Sequence, residues 1–191
     1  MTPELEGFNA LPTVEAEARL SSCCASSEWA RRMAAARPFG SFSDLADEAD
    51  CVWRSLSKED WLEAFAAHPP IGVAGTGPAD LHPPPNSGTS PADLHPPPNS
   101  ERFRAWSREE QGGTRGASPE TLANLADANR EYEERFGHIF IVCASGRNAA
   151  EMLALAEKRL ANDPETELAI ATEEQRKITR LRLEKLFATE R

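Results

Sequence analysis

The chain has 191 residues, with 31 acidic and 21 basic side chains and a formal net charge of −10 at pH 7. This length suits one ordinary domain with a buried core, and we expect residues 1–191 to form a single domain. The acidic excess argues against a nucleic-acid partner, because binding a polyanion requires clustered lysine and arginine. The same charge repels a small anionic substrate at long range, so an anion site would need a local, desolvated arginine.

The cysteines and the apolar runs exclude two further classes of protein. Cys23, Cys24, Cys51 and Cys143 have no spacing typical of a disulfide framework or a zinc site, so we expect no metal. No apolar run approaches the roughly 20 residues of a membrane span. The first residues lack the basic and apolar regions of a signal peptide. We therefore expect a cytoplasmic protein without a membrane partner.

Apolar residues recur at helical spacing along most of the chain, which predicts an all-α bundle of about eight helices. Ser41 or Ser43 is a candidate cap for one helix in the first half. The next helix begins at Ser57 and ends before His68-Pro69, because the residue before a proline disfavours the α conformation. The apolar stripes of these two helices contain Leu45, Ala49, Val52, Trp53 and Leu56, then Trp61, Leu62 and Phe65.

Three helices are predicted in the second half. Ser118-Pro119 is a cap followed by proline at the first helical position, and Gly137 ends that helix. Its stripe contains Leu122, Leu125, Asn129, Tyr132 and Phe136, of which Asn129 is a candidate buried hydrogen-bonding residue. Asn148 can cap the next helix, and Asp163-Pro164 opens a long final helix to about Phe187.

Two segments depart from helical spacing. Residues 137–143 are β-like but short and isolated, so we expect a buried extended segment or the start of a helix. Residues 73–104 are rich in Gly, Pro, Asn and Ser, and the decapeptide Pro78–Ser87 recurs letter for letter at Pro91–Ser100. This composition predicts a long, mobile, polyproline-like loop. Such a loop is usually either a lid or disordered, and disorder is the favoured interpretation.

One of three His-Pro dipeptides is a candidate acid–base group. His68 follows a helix with an apolar face, whereas His82 and His95 lie in the duplicated decapeptide. Histidine exchanges protons near neutral pH, and a preceding helix C-terminus tends to favour its protonated form. The alternative is that His68 caps the last carbonyl groups of its helix.

A polar cluster follows the loop. The helical spacing of Ser107, Glu110 and Gln111 places a hydroxyl, a carboxylate and an amide on one face of a predicted first turn, where they could bind one small ligand. Ser-x-x-Glu is also the pattern of a capping box, which the spacing alone favours. Only Gln111 is not needed for a cap.

The final helix contributes a candidate cation. At about 100° per residue, Arg182 lies on the apolar stripe between Ile178 and Leu186. A buried guanidinium is unfavourable unless it meets a carboxylate or an anionic ligand. Arg182 is therefore either a structural partner of an acidic core residue or part of an anion site. Arg147 is a weaker candidate.

Five motifs together identify a family. They are Phe8-Asn9-Ala10-Leu11-Pro12, His68-Pro69-x-Ile71-Gly72, Ser107-x-x-Glu110-Gln111, Phe136-Gly137-x-x-Phe140-Ile141 and Lys177-Ile178-x-x-x-Arg182-Leu183. In this order they resemble the OHCU decarboxylase family, over nearly the whole chain outside the loop. OHCU is 2-oxo-4-hydroxy-4-carboxy-5-ureidoimidazoline, an intermediate of urate breakdown.

The resemblance implies an all-helical, usually homodimeric carboxy-lyase that needs no cofactor and converts OHCU, a small-molecule substrate, to (S)-allantoin. It implies that His68 and Glu110 are catalytic. It also implies substrate-binding roles for a larger set: the side chains of Ser107, Gln111 and Arg182, together with Pro69 and the backbone of Phe140, Ile141 and Val142.

The proline-rich insertion is longer than the family pattern and leaves two alternatives. One is a helical binding protein that presents Pro83–Pro85 and Pro96–Pro98 to a partner as polyproline ligands. The other is a related enzyme that acts on a different ureido or imidazole substrate.

Overall fold

The computed structural model describes residues 2–72 and 100–187, which form nine α-helices and contain no assigned strand. The helices are α1 Pro3–Asn9, α2 Thr13–Leu20, α3 Ser27–Ala35, α4 Phe42–Arg54, α5 Lys58–Ala66, α6 Ser100–Glu110, α7 Pro119–Phe136, α8 Ala149–Arg159 and α9 Pro164–Phe187. A 3₁₀ turn, Gln111–Thr114, follows α6 directly. The expected all-α fold is confirmed. None of the helices in the described ranges is long and apolar enough to cross a membrane.

Local capping explains most helix boundaries. The Ser41 hydroxyl accepts the Asp44 N–H at the start of α4, and Ser57 and Asn148 each form a capping box, at α5 and α8. Ser118 caps α7, which has proline at its first position. Gly137 ends α7 with a φ of 73°, a left-handed conformation that glycine adopts without steric cost. These boundaries agree with those predicted from the sequence.

The predicted loop boundary at residue 104 is wrong. Helix α6 begins at Ser100, so residues 100–104 are helical. Phe103 is buried in this first part of α6, where its ring contacts the His68 ring at 4.9 Å and lies 4.2 Å from the Arg182 guanidinium carbon. The polar composition of residues 100–104 concealed this helix, which packs through Phe103 and, one turn later, through Trp106. The prediction of a mobile loop falls on residues 73–99, which lie outside the described residues.

The core has two apolar clusters, and residues 139–144 run between them. The first cluster includes Phe8, Trp29, Leu45, Phe65 and Leu183, and the second includes Leu125, Tyr132, Met152 and Ala156. Ile139, Ile141 and Cys143 pack with the first, whereas Phe140, Val142 and Ala144 pack with the second. Alternation with a period of two is typical of extended backbone. The segment is therefore buried and extended, and the alternative of a helix start is wrong.

Candidate active site

A pocket forms where the exit of α5, the end of α6, the extended segment and α9 meet. Its lining residues are His68, Pro69, Ile71, Ser107, Glu110, Gln111, Phe140, Ile141, Val142, Ala144 and Ile178. Every predicted site residue except Arg182 is in this set. The fold thus brings together groups that were predicted separately from distant parts of the chain.

Arg182 lies behind the pocket wall, with no exposed side-chain surface. Its Nε donates to Glu110 Oε1 at 2.8 Å, and its Nη2 donates to Glu110 Oε2 at 2.6 Å and to Ser107 Oγ at 2.9 Å. This two-point pair with a carboxylate holds Glu110 in one orientation. Arg182 Nη1 is also buried, and it has no hydrogen-bond partner in the described part of the chain. The geometry therefore contains the predicted ion pair and one remaining donor.

The capping-box interpretation of Ser107 and Glu110 is wrong. Both residues lie in the last turn of α6, and Gln111 begins the 3₁₀ turn, so the cluster is not in a first turn. The N–H groups that need a cap are those at a helix start. The predicted common face is nevertheless present, since Ser107 and Glu110 meet the same guanidinium. The error arose because α6 begins within the residues assigned to the loop.

His68 is almost fully buried at the pocket, with 9% of its surface exposed. Burial and, to a smaller extent, the positive charge of Arg182 lower the pKa of His68 to about 3. The polar side chain of Gln175 acts in the opposite direction and raises this pKa. The imidazole is therefore neutral near pH 7, and the tendency of the α5 C-terminus to favour the protonated form is outweighed. Its Nε2 is buried without a hydrogen-bond partner among the described residues.

The loop that carries His68 is fixed by two amide side chains. Gln111 Nε2 donates to the Pro69 carbonyl at 3.1 Å, and Asn129 Nδ2 donates to the Ile71 carbonyl at 2.8 Å. Asn129 is thus a buried hydrogen-bonding residue, as its position on the apolar stripe suggested. Gly72, the last described residue of this stretch, has a φ of 80°, in the left-handed region that favours glycine. These contacts hold His68 against α6 and α7.

Close packing places the 3₁₀ turn against the end of the extended segment. A Cβ atom at Gly113 would lie 1.8 Å from the Arg147 carbonyl oxygen, so only glycine allows this approach. Arg147 itself is not a lining residue, and its Nε donates to the Cys143 carbonyl at 3.2 Å. This contact positions Gln111 relative to residues 140–144.

Two charged residues that were not among the predicted site residues hold the extended segment. Arg159 Nη1 donates to the Ile141 carbonyl, and Glu174 Oε2 accepts the Cys143 N–H, both at 2.8 Å. Glu167 is fully buried and pairs with Arg159. A usable signal existed, because Glu167 and Glu174 lie on the same stripe of α9 as Ala171, Ile178 and Arg182. The projection that identified Arg182 would also have identified these two carboxylates.

The polar groups at the pocket suit proton transfer and hydrogen bonding to a small polar ligand. A neutral imidazole can accept a proton, a guanidinium orients the carboxylate and the hydroxyl, and Phe140, Ile141 and Val142 also line the pocket. Across residues 2–72 and 100–187, no group of three or more His, Cys, Asp and Glu side chains is placed to hold a metal ion.

The sequence profile of a family described as OHCU decarboxylase matches residues 9–184. The chain belongs to the OHCU decarboxylase family. It is 39% identical over 166 residues to the uric acid degradation bifunctional protein TTL of Arabidopsis thaliana, which covers 87% of this chain and 45% of that protein. It is 40% identical over 73 residues to the 2-oxo-4-hydroxy-4-carboxy-5-ureidoimidazoline decarboxylase of Amia calva, which covers 35% of this chain and 42% of that protein. The chain thus matches less than half the length of either relative.

Solved structures show the same fold. A crystal structure of OHCU decarboxylase in the presence of (S)-allantoin has a TM-score of 0.69 and 35% identity, covering 90% of this chain and 99% of that one. A crystal structure of (S)-allantoin synthase has a TM-score of 0.64, covering 97% of this chain and 54% of that one. The second is 18% identical and therefore supports the fold alone.

Proposed function

We propose that this chain catalyses the decarboxylation of OHCU to (S)-allantoin during urate breakdown, without a cofactor. The observation that carries the proposal is the convergence of neutral His68 with the Arg182-bound Glu110 and Ser107 at one pocket. Membership of the OHCU decarboxylase family supports this substrate.

The residue types suit the chemistry of this substrate. When the bond to the carboxylate breaks and carbon dioxide leaves, its electron pair passes into the adjacent C–N framework of the ring, whose nitrogen takes a proton from solvent, so the substrate supplies its own electron sink. Neutral His68 accepts the proton of the substrate hydroxyl, with Glu110 beside it. The imidazolium then returns a proton to one face of the intermediate, which determines the hand of the product. General acid–base catalysis of this kind typically contributes about 10²–10⁴-fold in rate.

The polar groups also divide into donors and acceptors for the substrate. Ser107 Oγ accepts an Arg182 N–H, so its own hydroxyl hydrogen is free to donate. Gln111 uses its Nε2 on Pro69, which leaves its carbonyl oxygen to accept a ureido N–H. Arg182, which lies behind the pocket wall, contributes to substrate binding through Glu110 and Ser107, which it orients. The backbone of Phe140, Ile141 and Val142, together with Pro69, completes the proposed binding surface.

An assay with freshly generated products of urate oxidation tests the proposal. Wild type should accelerate the appearance of dextrorotatory (S)-allantoin, measured by circular dichroism, and His68→Ala should abolish this acceleration. His82→Ala is the matched control, because it removes a histidine from another His-Pro dipeptide and should retain full activity. If a folded wild-type sample gives no acceleration, the proposal is wrong.

We further propose that the chain acts in the cytoplasm as a homodimer and that residues 1–191 form one domain with an inserted duplication. The family resemblance supports the dimer, which light scattering measures directly. Deletion of residues 78–99 removes both polyproline segments, stops short of Ser100 at the start of α6, and should leave decarboxylation unchanged. Loss of partner capture together with retained activity would instead give the polyproline segments a separate binding role.

A further inference from the structure

Within residues 139–143 of the extended segment, the recorded hydrogen bonds lie on only one of the two edges, whereas the Ala144 carbonyl accepts the Arg147 N–H in the turn that follows. In extended backbone, the N–H and C=O groups of successive residues point to opposite edges. The structure records contacts for the odd-numbered residues: Ile141 C=O with Arg159, Cys143 N–H with Glu174 and Cys143 C=O with Arg147. For the backbone groups of Phe140 and Val142 it records no hydrogen bond within the described residues.

Two buried charged groups hold the occupied edge. Arg159 is 6% exposed, and the fully buried Glu167 accepts its Nε–H at 2.7 Å. Glu174 is 8% exposed, and its other carboxylate oxygen accepts from Lys177 Nζ at 2.6 Å. Each anchor is thus held in turn by a second charged residue, so the odd-numbered edge is fixed from α8 and from α9.

The opposite edge belongs to residues that line the pocket. Phe140, Ile141 and Val142 all line the pocket, and among their backbone groups those of Phe140 and Val142 have no recorded hydrogen bond to any described residue. Unpaired strand edges bind partners that present matching donors and acceptors. A ureido-substituted heterocycle, with N–H and C=O groups in alternation, is such a partner.

We propose that Arg159 and Glu174 are positioning residues for substrate binding, which hold one edge of residues 139–144 and thereby present the opposite edge, at Phe140 and Val142, to the substrate. This inference rests on the proposed function, because the ligand is a ureide of the OHCU type. Neither residue lines the pocket. Their effect is therefore on the affinity for substrate and product, and the proton-transfer step at His68 is left intact.

Substitutions at Glu174 give the sharpest test, because an Arg159 variant leaves Glu167 buried without its cation and can fail to fold. Glu174→Ala removes the acceptor for the Cys143 N–H, whereas Glu174→Gln keeps a side-chain oxygen in its place. We expect Glu174→Ala to raise KM for OHCU and the Kd for (S)-allantoin about tenfold, with kcat within about twofold of wild type. Glu174→Gln should restore both constants to within about twofold.

A matched control lies one residue away. Glu173→Ala removes an exposed carboxylate of α9 that pairs with Arg176, and it should leave KM unchanged. Equal KM values for Glu174→Ala and Glu174→Gln would overturn the inference. A fall in kcat at unchanged KM in Glu174→Ala would also overturn it.

Amide hydrogen exchange separates this inference from the proposed function. The peptide containing Cys143 should exchange faster in Glu174→Ala than in Glu174→Gln, and (S)-allantoin should slow exchange at Phe140 and Val142 in wild type. If wild type binds (S)-allantoin with this protection but does not decarboxylate OHCU, the proposed function fails and the positioning role stands. If wild type is active but the two Glu174 variants show the same exchange and the same KM, the positioning role fails alone.

Discussion

Two buried arginine–glutamate pairs in this fold differ in how completely their polar groups are used. Around Arg159, Nε donates to Glu167, Nη1 donates to the Ile141 carbonyl and Nη2 donates to the Tyr132 hydroxyl. The second oxygen of Glu167 accepts from Asn162 at 2.7 Å. Each nitrogen of the guanidinium and each oxygen of the carboxylate therefore has a partner.

The pair at the pocket is incomplete. Arg182 Nη1 is buried and has no hydrogen-bond partner within the described residues, and the same holds for Nε2 of His68, which lines the pocket. A buried polar group without a partner is unfavourable by roughly 1–3 kcal/mol. The Arg159 pair uses all of its polar groups within the described part of the protein, whereas the Arg182 pair leaves one buried donor unused. Unsatisfied groups thus distinguish the candidate site from a structural ion pair of the same residue types.

The largest expected effect is at the carboxylate of the pocket pair. Glu110→Gln keeps the size and one acceptor of the side chain but removes its charge, so we expect kcat for OHCU to fall about 10²–10⁴-fold. Far-UV circular dichroism should show an unchanged helix content. A variant that retains activity within about threefold of wild type would contradict a catalytic role for Glu110.

The same change in the Arg159–Glu167 pair should lower stability and leave catalysis unchanged. Glu167→Gln leaves Arg159 buried without a counter-charge, which we expect to lower the free energy of unfolding by about 3–5 kcal/mol. Urea denaturation measures this loss, and the folded fraction should keep its kcat. Glu173→Gln is the control, because Glu173 is exposed and its partner Arg176 keeps a second pair with Asp50, and it should change stability by about 0–1 kcal/mol. Equal losses in the two variants would mean that the buried Arg159–Glu167 pair contributes no more to stability than the Glu173–Arg176 pair.

The smallest expected effect is the pH dependence of stability that His68 causes at the pocket. The pKa of His68 is lowered from 6.5 to about 3, so the unfolded chain binds a proton at this residue at a higher pH than the folded chain. The contribution of His68 to stability is therefore complete above pH 6.5 and is lost as the pH falls toward 3. Between pH 6.5 and 5, wild type should lose about 2 kcal/mol more than His68→Gln in urea unfolding. The same loss in both proteins would contradict a lowered pKa.

Helix boundaries were predictable where a cap, a proline or a glycine acts within a few residues. Ser41, Ser57, Ser118, Gly137 and Asn148 all end or begin helices as expected. Helix α6 was the exception, because it begins at Ser100, where the duplicated decapeptide ends, and the predicted loop was extended past this point to residue 104. Its placement depends on Phe103 packing against His68 and Arg182.

The candidate site was predictable as a set of residues but not as a geometry. The family motifs named the residues that line the pocket, and a helical projection placed Arg182 on a buried stripe. They did not indicate that the last turn of α6 presents Ser107 and Glu110, or that Arg159 and Glu174 anchor the opposite wall. Each of these depends on a contact between distant segments.

The sequence by itself determined the helical class, most helix ends and the identity of the polar residues, because capping and apolar periodicity act over one or two turns. Only the tertiary structure decided what those polar residues do. Glu110 meets Arg182 across 72 positions of the chain, and Cys143 meets Glu174 across 31. A carboxylate that looks like a helix cap in isolation becomes part of a buried pair when folding brings a guanidinium to it, since burial makes the nearest opposite charge its strongest partner.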